Sequence, residues 1–278
     1  MLNKTAKSGV AVLVAGVAVF AGSVTLLVLT GNTAVRYSAD HGDTVPVWTR
    51  WAPALAGIMA IRLVPARPPA ALLASGGTRV EAEVLLAAAL VFAVALRLTG
   101  GGEPAHVLLK LLLLLVVPLV LFRVRRGSPA IALGDRPRVA PVVPVAVWLL
   151  LSCAGPFALR PSDYADTVDT VDTVTLIATV VVVFLVNSLL EEVFYRRWSQ
   201  TRWEAVLGRW PAIVLVSLLW AGWHAAIQGV GDLPVDLASA FANQGAQGLF
   251  LGYLWSRYRL MWPLLVVHGA VNALPMFL

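Results

Sequence analysis

The chain has 278 residues, 59% of them apolar and only 13% charged, with a mean hydropathy of +0.82. A soluble protein carries roughly twice that share of charge, so the composition indicates a polytopic membrane protein, one helical bundle rather than two soluble domains. The net charge of +6 does not imply nucleic-acid binding, because the basic residues fall in short clusters between apolar runs, as topology signals do.

In chain order, Lys4 and Lys7 precede an apolar run from Gly9 to Leu29. That run is long enough to span a bilayer and longer than a signal-peptide core, so it reads as a retained anchor. Further spans are expected around Ala56, Ala89, Leu114, Trp148, Val182, Leu218, Leu249 and Val267. The expected fold is therefore all-α, a polytopic transmembrane helical bundle of nine spans, or eight if the Pro53-bearing segment that ends at Arg62 does not cross. With the N-terminus inside, sixteen Lys and Arg fall on the cytoplasmic side and four, Arg36, Arg50, Arg97 and Arg160, on the other. This positive-inside bias places the C-terminus outside.

Between the spans, Gly100-Gly101-Gly102 reads as a turn without a phosphate-binding fingerprint. His41 and His106, at span edges, read as solvated or interfacial. The Arg123–Arg138 stretch, with Gly127, Pro129 and Pro137, has linker chemistry. It divides an amino-terminal transmembrane region, 1–138, from a carboxy-terminal domain, 139–278. Cys153 lies in an apolar run and reads as a packing residue. Asp163, Asp166, Asp169 and Asp172 recur every three residues, but the turn glycine and bidentate Glu of a calcium loop are missing. They read as a solvated acidic loop.

The chemistry concentrates in the last hundred residues. Glu191 and Glu192 end a long apolar run, where charge must face a bundle interior or a water-filled cavity. Glu192 and Arg196 stand i,i+4 with the acid first, the favourable order for an ion pair, which leaves Glu191 without a local partner. In the next span, Trp220, His224 and Gln228 share one helix face, and in the last span His268 and Asn272 do so. The plain alternatives are helix-end charges meeting the interface for Glu191, Glu192 and Arg196, a structural hydrogen bond for His224, and interhelical hydrogen bonding for His268 and Asn272. Asn243, Gln244 and Gln247 read as polar glue, and Gly248 and Gly252 as a close-packing pair.

Glu191-Glu192-x-x-x-Arg196, His224 and His268-x-x-x-Asn272, in this order on consecutive polar spans, resemble the CPBP family. Its members include type II CAAX-prenyl-protease and bacteriocin-processing relatives. The resemblance covers residues from about 173 to 278 and departs at Trp220, where the family's Phe-x-x-x-His motif has Phe. It implies an intramembrane endopeptidase acting on a membrane-associated protein or peptide within the lipid bilayer. Glu191 would activate water, Glu192 and Arg196 would form the supporting pair, and His224, His268 and Asn272 would complete the site. Glu191, His224 and His268 also match the ligand set of an open zinc site, although no His-Glu-x-x-His helix is present. The family is described both as metalloproteases and as glutamate-dependent enzymes, and metal-free chemistry is the preferred expectation here. Two other readings stand beside it: a proton-coupled transporter, and a non-catalytic immunity or partner membrane protein.

Overall fold

The computed structural model describes residues 4–65, 76–125, 139–163 and 170–278, together with 72, 74 and 168. Most of the Arg123–Arg138 linker, and Asp166 and Asp169 of the acidic repeat, lie outside the described residues. Besides one 3-10 turn, Gly155–Phe157, the described residues form nine longer helical segments, one at each expected position. They are α1 (Lys4–Leu29), α2 (Val47–Leu63), α3 (Thr78–Leu98), α4 (Ala105–Val124), α5 (Val142–Leu151), α6 (Thr173–Leu207), α7 (Arg209–Gln228), α8 (Leu233–Tyr258) and α9 (Met261–Met276).

Four of them, α1, α4, α6 and α7, are long and apolar enough to cross a membrane. The helices α5 and α9 are apolar but shorter. The helix α8 is long yet polar, with Asp236, Asn243, Gln244 and Gln247 along it. Its position explains this: α8 packs against α7, α2 and α1, and 16 of its 26 residues are buried. A helix surrounded by protein satisfies polar groups through its neighbours and needs no lipid-compatible surface.

Those polar residues act as glue, as expected. Trp148 donates to Gln247 Oε1 at 3.2 Å, Arg50 Nε to Asn243 Oδ1 at 3.4 Å, and Asn243 Nδ2 to the carbonyl of Arg36 at 3.2 Å. A Cβ on Gly248 would lie 3.0 Å from that of Ser217, and one on Gly252 3.0 Å from Gln200 Oε1, so both glycines permit close approach to α7 and α6. Helices from the two halves of the sequence alternate in the bundle: α1 packs on α8 and α7, α2 on α8 and α5, and α3 on the last turns of α6.

The helix ends follow local chemistry. Asp172 accepts hydrogen bonds from the amides of Val174 and Thr175 and from the Thr175 hydroxyl, capping α6; these bonds hold its carboxyl below the usual range. Asp232 caps α8 in the same way, with Pro234 in the first turn. The α3–α4 turn needs glycine at Gly101, whose φ is +75° and where a Cβ would meet the carbonyl oxygen of Ala226 at 2.4 Å.

The fold is helical as expected, with one short antiparallel ribbon, Ala34–Arg36 (β1) paired with Thr44–Pro46 (β2), between α1 and α2. Two expectations are corrected. Cys153 is exposed, because α5 ends before it. His41 is buried: Ser38 Oγ lies 2.6 Å from its Nδ1 and its Nε2 lies 3.1 Å from the carbonyl of Arg160. The loop after α5 thus docks on the ribbon loop. Asp163 N donates to Asp40 O, and Ser162 N to Pro275 O at the end of α9, so these segments tie into one rim.

Candidate active site

That rim encloses a cavity of about 670 Å³ leading into the bundle. Its walls combine rim residues such as Asp40, His41 and Ser162 with Lys110, Asn187, Glu191, His224, His268 and Asn272 from four helices. At the rim, burial raises the Asp40 carboxyl above its usual range; His41 and Arg36 oppose this shift and Asp163 adds to it.

Residues Leu176, Thr179, Val183, Asn187 and Glu191 turn one continuous face of α6 to the cavity. Their positions owe something to two stretches, Phe184–Leu189 and Glu192–Gln200, in which the helix widens to π geometry. A third such stretch, Lys110–Val116, begins at the lysine in α4. Widened turns concentrate at functional sites, and Lys110 and Glu191 both stand at the edges of such stretches.

The two glutamates are separated. Glu191 lines the cavity, its Oε1 accepting from Lys110 Nζ at 2.6 Å and its Oε2 from Trp220 Nε1 at 2.7 Å. Lys110 donates a second hydrogen bond to Asn187 Oδ1 at 2.7 Å, and its Nζ lies 4.8 Å from the centroid of the Trp223 ring. Glu192 is fully buried behind the wall. Its Oε1 accepts from His268 Nδ1 at 2.8 Å and its Oε2 lies 3.4 Å from Arg196 Nε, preserving the expected i,i+4 pair despite the widened helix. Arg196 is itself fully buried, its guanidinium 5.4 Å from the Trp220 ring.

Hydrogen bonding fixes the tautomers of both histidines. His224 Nδ1 faces the carbonyl of Trp220 at 2.9 Å, and a carbonyl only accepts, so the proton is on Nδ1. His268 Nδ1 faces the Glu192 carboxylate, which also accepts. In its neutral form each ring therefore keeps Nε2 as its unshared acceptor. Trp220 ties the group together by packing edge-on against both imidazoles, with centroid separations of 5.0 and 5.6 Å. Asn272 Nδ2 donates to Ser188 Oγ at 3.0 Å, which leaves its second N–H.

Glu191, Glu192, Arg196, His224, His268 and Asn272 are thus brought together, in two tiers. Sequence reasoning missed Lys110, and Glu191 is not the unpartnered carboxylate that helical spacing suggests. A signal was present: of the 21 Lys and Arg, Lys110 is the one that the loop count leaves over, and it sits inside an apolar run. His106, read as interfacial, instead lines the cavity with its ring 5.4 Å from that of Trp223.

The zinc set is not assembled. Among the described residues no group of three or more His, Cys, Asp or Glu could hold a metal ion. Both oxygens of Glu191 already face N–H donors, and a lysine ammonium stands where a cation would bind its Oε1. This donor set does not fit zinc.

Residues 173–274 match a family described as Rce1-like, type II CAAX prenyl endopeptidase Rce1-like. The match spans a little over a third of the chain, including all six site residues expected from sequence but not Lys110. No curated protein and no solved structure matches the chain.

Proposed function

We propose, from the match of residues 173–274 to the Rce1-like family of type II CAAX prenyl endopeptidases, that this membrane protein is a member of the CPBP family and hydrolyses peptide bonds of a membrane-associated protein or peptide, with Glu191 activating water. The observation that carries the reading is the separation of the two acids. Glu191 faces the cavity together with His224, His268 and Asn272, whereas Glu192 is turned to Arg196 and His268 behind it.

In this mechanism a water held between Glu191 and the unshared Nε2 of a histidine gives its proton to the carboxylate as its oxygen attacks the carbonyl carbon. The oxyanion that forms is met by the second Asn272 N–H and the remaining Lys110 N–H, both aimed into a low-dielectric site. On collapse the C–N bond breaks and Glu191 returns the proton to the leaving amine, restoring its carboxylate. The new acid keeps the water oxygen. Lys110 supplies the counter-charge that lets a carboxylate remain at this depth.

Comparing the proteomes of cells carrying wild type or Glu191→Ala tests the reading. At least one membrane-associated polypeptide is expected to accumulate as an uncleaved precursor in the variant. Identical processing of every membrane-associated polypeptide would leave the non-catalytic reading in its place.

Trp220 gives a second test. The phenyl ring that the family has at this position can pack against the histidines but cannot donate to Glu191. A hydrogen bond to a charged group contributes about 1.5–3 kcal/mol. Trp220→Phe is therefore expected to slow cleavage of that precursor on the order of 10- to 100-fold without lowering the amount of protein in the membrane. An unchanged rate in reconstituted vesicles would remove Trp220 Nε1 from the mechanism.

A further inference from the structure

Building on that reading, we infer that the cavity opens to the extracytoplasmic face of the membrane and receives the juxtamembrane segment of a membrane-anchored polypeptide from that side. The bundle has two dissimilar ends. One carries the ribbon loop, the α3–α4 turn, the loop after α5, the end of α7 and the end of α9, and all of these contribute to the cavity wall. The other carries the described residues 62–65, 76–79, 123–125, 139–141, 196–209 and 257–260.

Among the described residues, Arg36, Arg50, Arg97 and Arg160 belong to the cavity end, and Lys7, Arg62, Arg79, Arg123, Arg125, Arg197, Arg202, Arg209, Arg257 and Arg259 to the opposite one. Arg36, Arg97 and Arg160 are seen there directly, hydrogen-bonded to the carbonyl of His41, the carbonyl of Ala225 and the carboxylate of Asp43. A bias of this size orients a multi-span protein with its arginine-rich end in the cytoplasm.

Depth agrees with this. At 1.5 Å per residue, Lys110 lies about 8 Å from the start of α4 and His224 about 6 Å from the end of α7, both measured from the cavity end. From the arginine-rich end the same residues lie about 21 and 22 Å in. That path is filled by Phe194, Tyr195, Arg196, Gln200, Trp255 and Tyr258, each essentially buried. A cytoplasmic tail would meet this plug and not the Glu191 carboxylate. On the open side, no residue of Thr173–Val183 is buried, so a single uncovered stretch of α6 stands between the cavity and its surroundings, a wall that an anchored substrate can approach sideways.

Site-directed thiol labelling tests this. In a Cys153→Ser background, Val171→Cys places a thiol at the rim, and Arg79→Cys places one at the far end, where the side chain is 77% exposed. A membrane-impermeant maleimide applied to intact cells is expected to label position 171 and to reach position 79 only after permeabilisation. Labelling of position 79 in intact cells, or of position 171 only in permeabilised ones, overturns the inference. The result is independent of whether the chain cleaves anything, so it fails separately from the enzymatic reading. Where the precursor is known, a bulky impermeant maleimide on position 171 is expected to slow its cleavage at least 10-fold relative to the same unlabelled variant. An unchanged rate places substrate entry elsewhere.

Discussion

Glu191→Gln is expected to lower peptide cleavage by about 10²- to 10⁴-fold, the contribution of a positioned general base, while the protein still reaches the membrane. The amide is nearly isosteric, and its oxygen can still accept from Lys110. Its nitrogen cannot accept from Trp220, and the group cannot take a proton from water. Glu192→Gln is expected to fail differently. Glu192 is the carboxylate that faces Arg196, whose guanidinium cannot be discharged. Breaking a buried pair by removing one partner costs about 3–5 kcal/mol, so this variant is expected to lose thermal stability and membrane accumulation together with activity. Cleavage rates per folded protein, set beside unfolding temperatures in detergent, separate the two. Full activity per molecule in Glu191→Gln would end the general-base assignment.

The second large effect is expected at a residue outside the family-matched segment. Lys110→Met removes the ammonium from Glu191 Oε1 and leaves a buried carboxylate whose remaining donor is Trp220. At about 3 kcal/mol or more for the broken pair, the loss corresponds to at least 100-fold in rate where the penalty falls on the catalytic geometry. Combining Lys110→Met with Glu191→Gln is expected to restore stability relative to Lys110→Met alone, because no buried charge is then left unpaired. Melting temperatures of the four proteins in the cycle give the coupling. Strictly additive changes, or a Lys110→Met variant as active as wild type, would show the contact to be incidental.

Much of this molecule could be read from the chain because membrane helices and their motifs are local patterns. The nine helical segments follow from apolar runs, and Glu192–Arg196 from a spacing of four. His224, His268 and Asn272 needed no more than one helix face each. The missed features are non-local. Lys110 and Glu191 are 81 positions apart, and no periodicity links them. The burial of His41 depends on the carbonyl of Arg160, reached only when two loops dock. Reading α6 at 3.6 residues per turn could not anticipate its widened stretches. Nor could it anticipate that the cavity approaches Glu191 from the end remote from Arg196–Arg202, because cavity shape belongs to the whole bundle.

The widening of α6 has a consequence for how this helix can vary among proteins built on the same plan. A π turn holds one residue more than an α turn needs, so Phe184–Leu189 carries a surplus residue. Deleting it would leave Glu191 through Arg196 where they are and rotate everything upstream by about 100°. The stripe Leu176, Thr179, Val183 would leave the cavity and a neighbouring stripe would replace it. A change of one residue in length is thus enough to re-line one wall while the glutamates stay in place, a short step by which one hydrolytic centre could be turned towards different polypeptides.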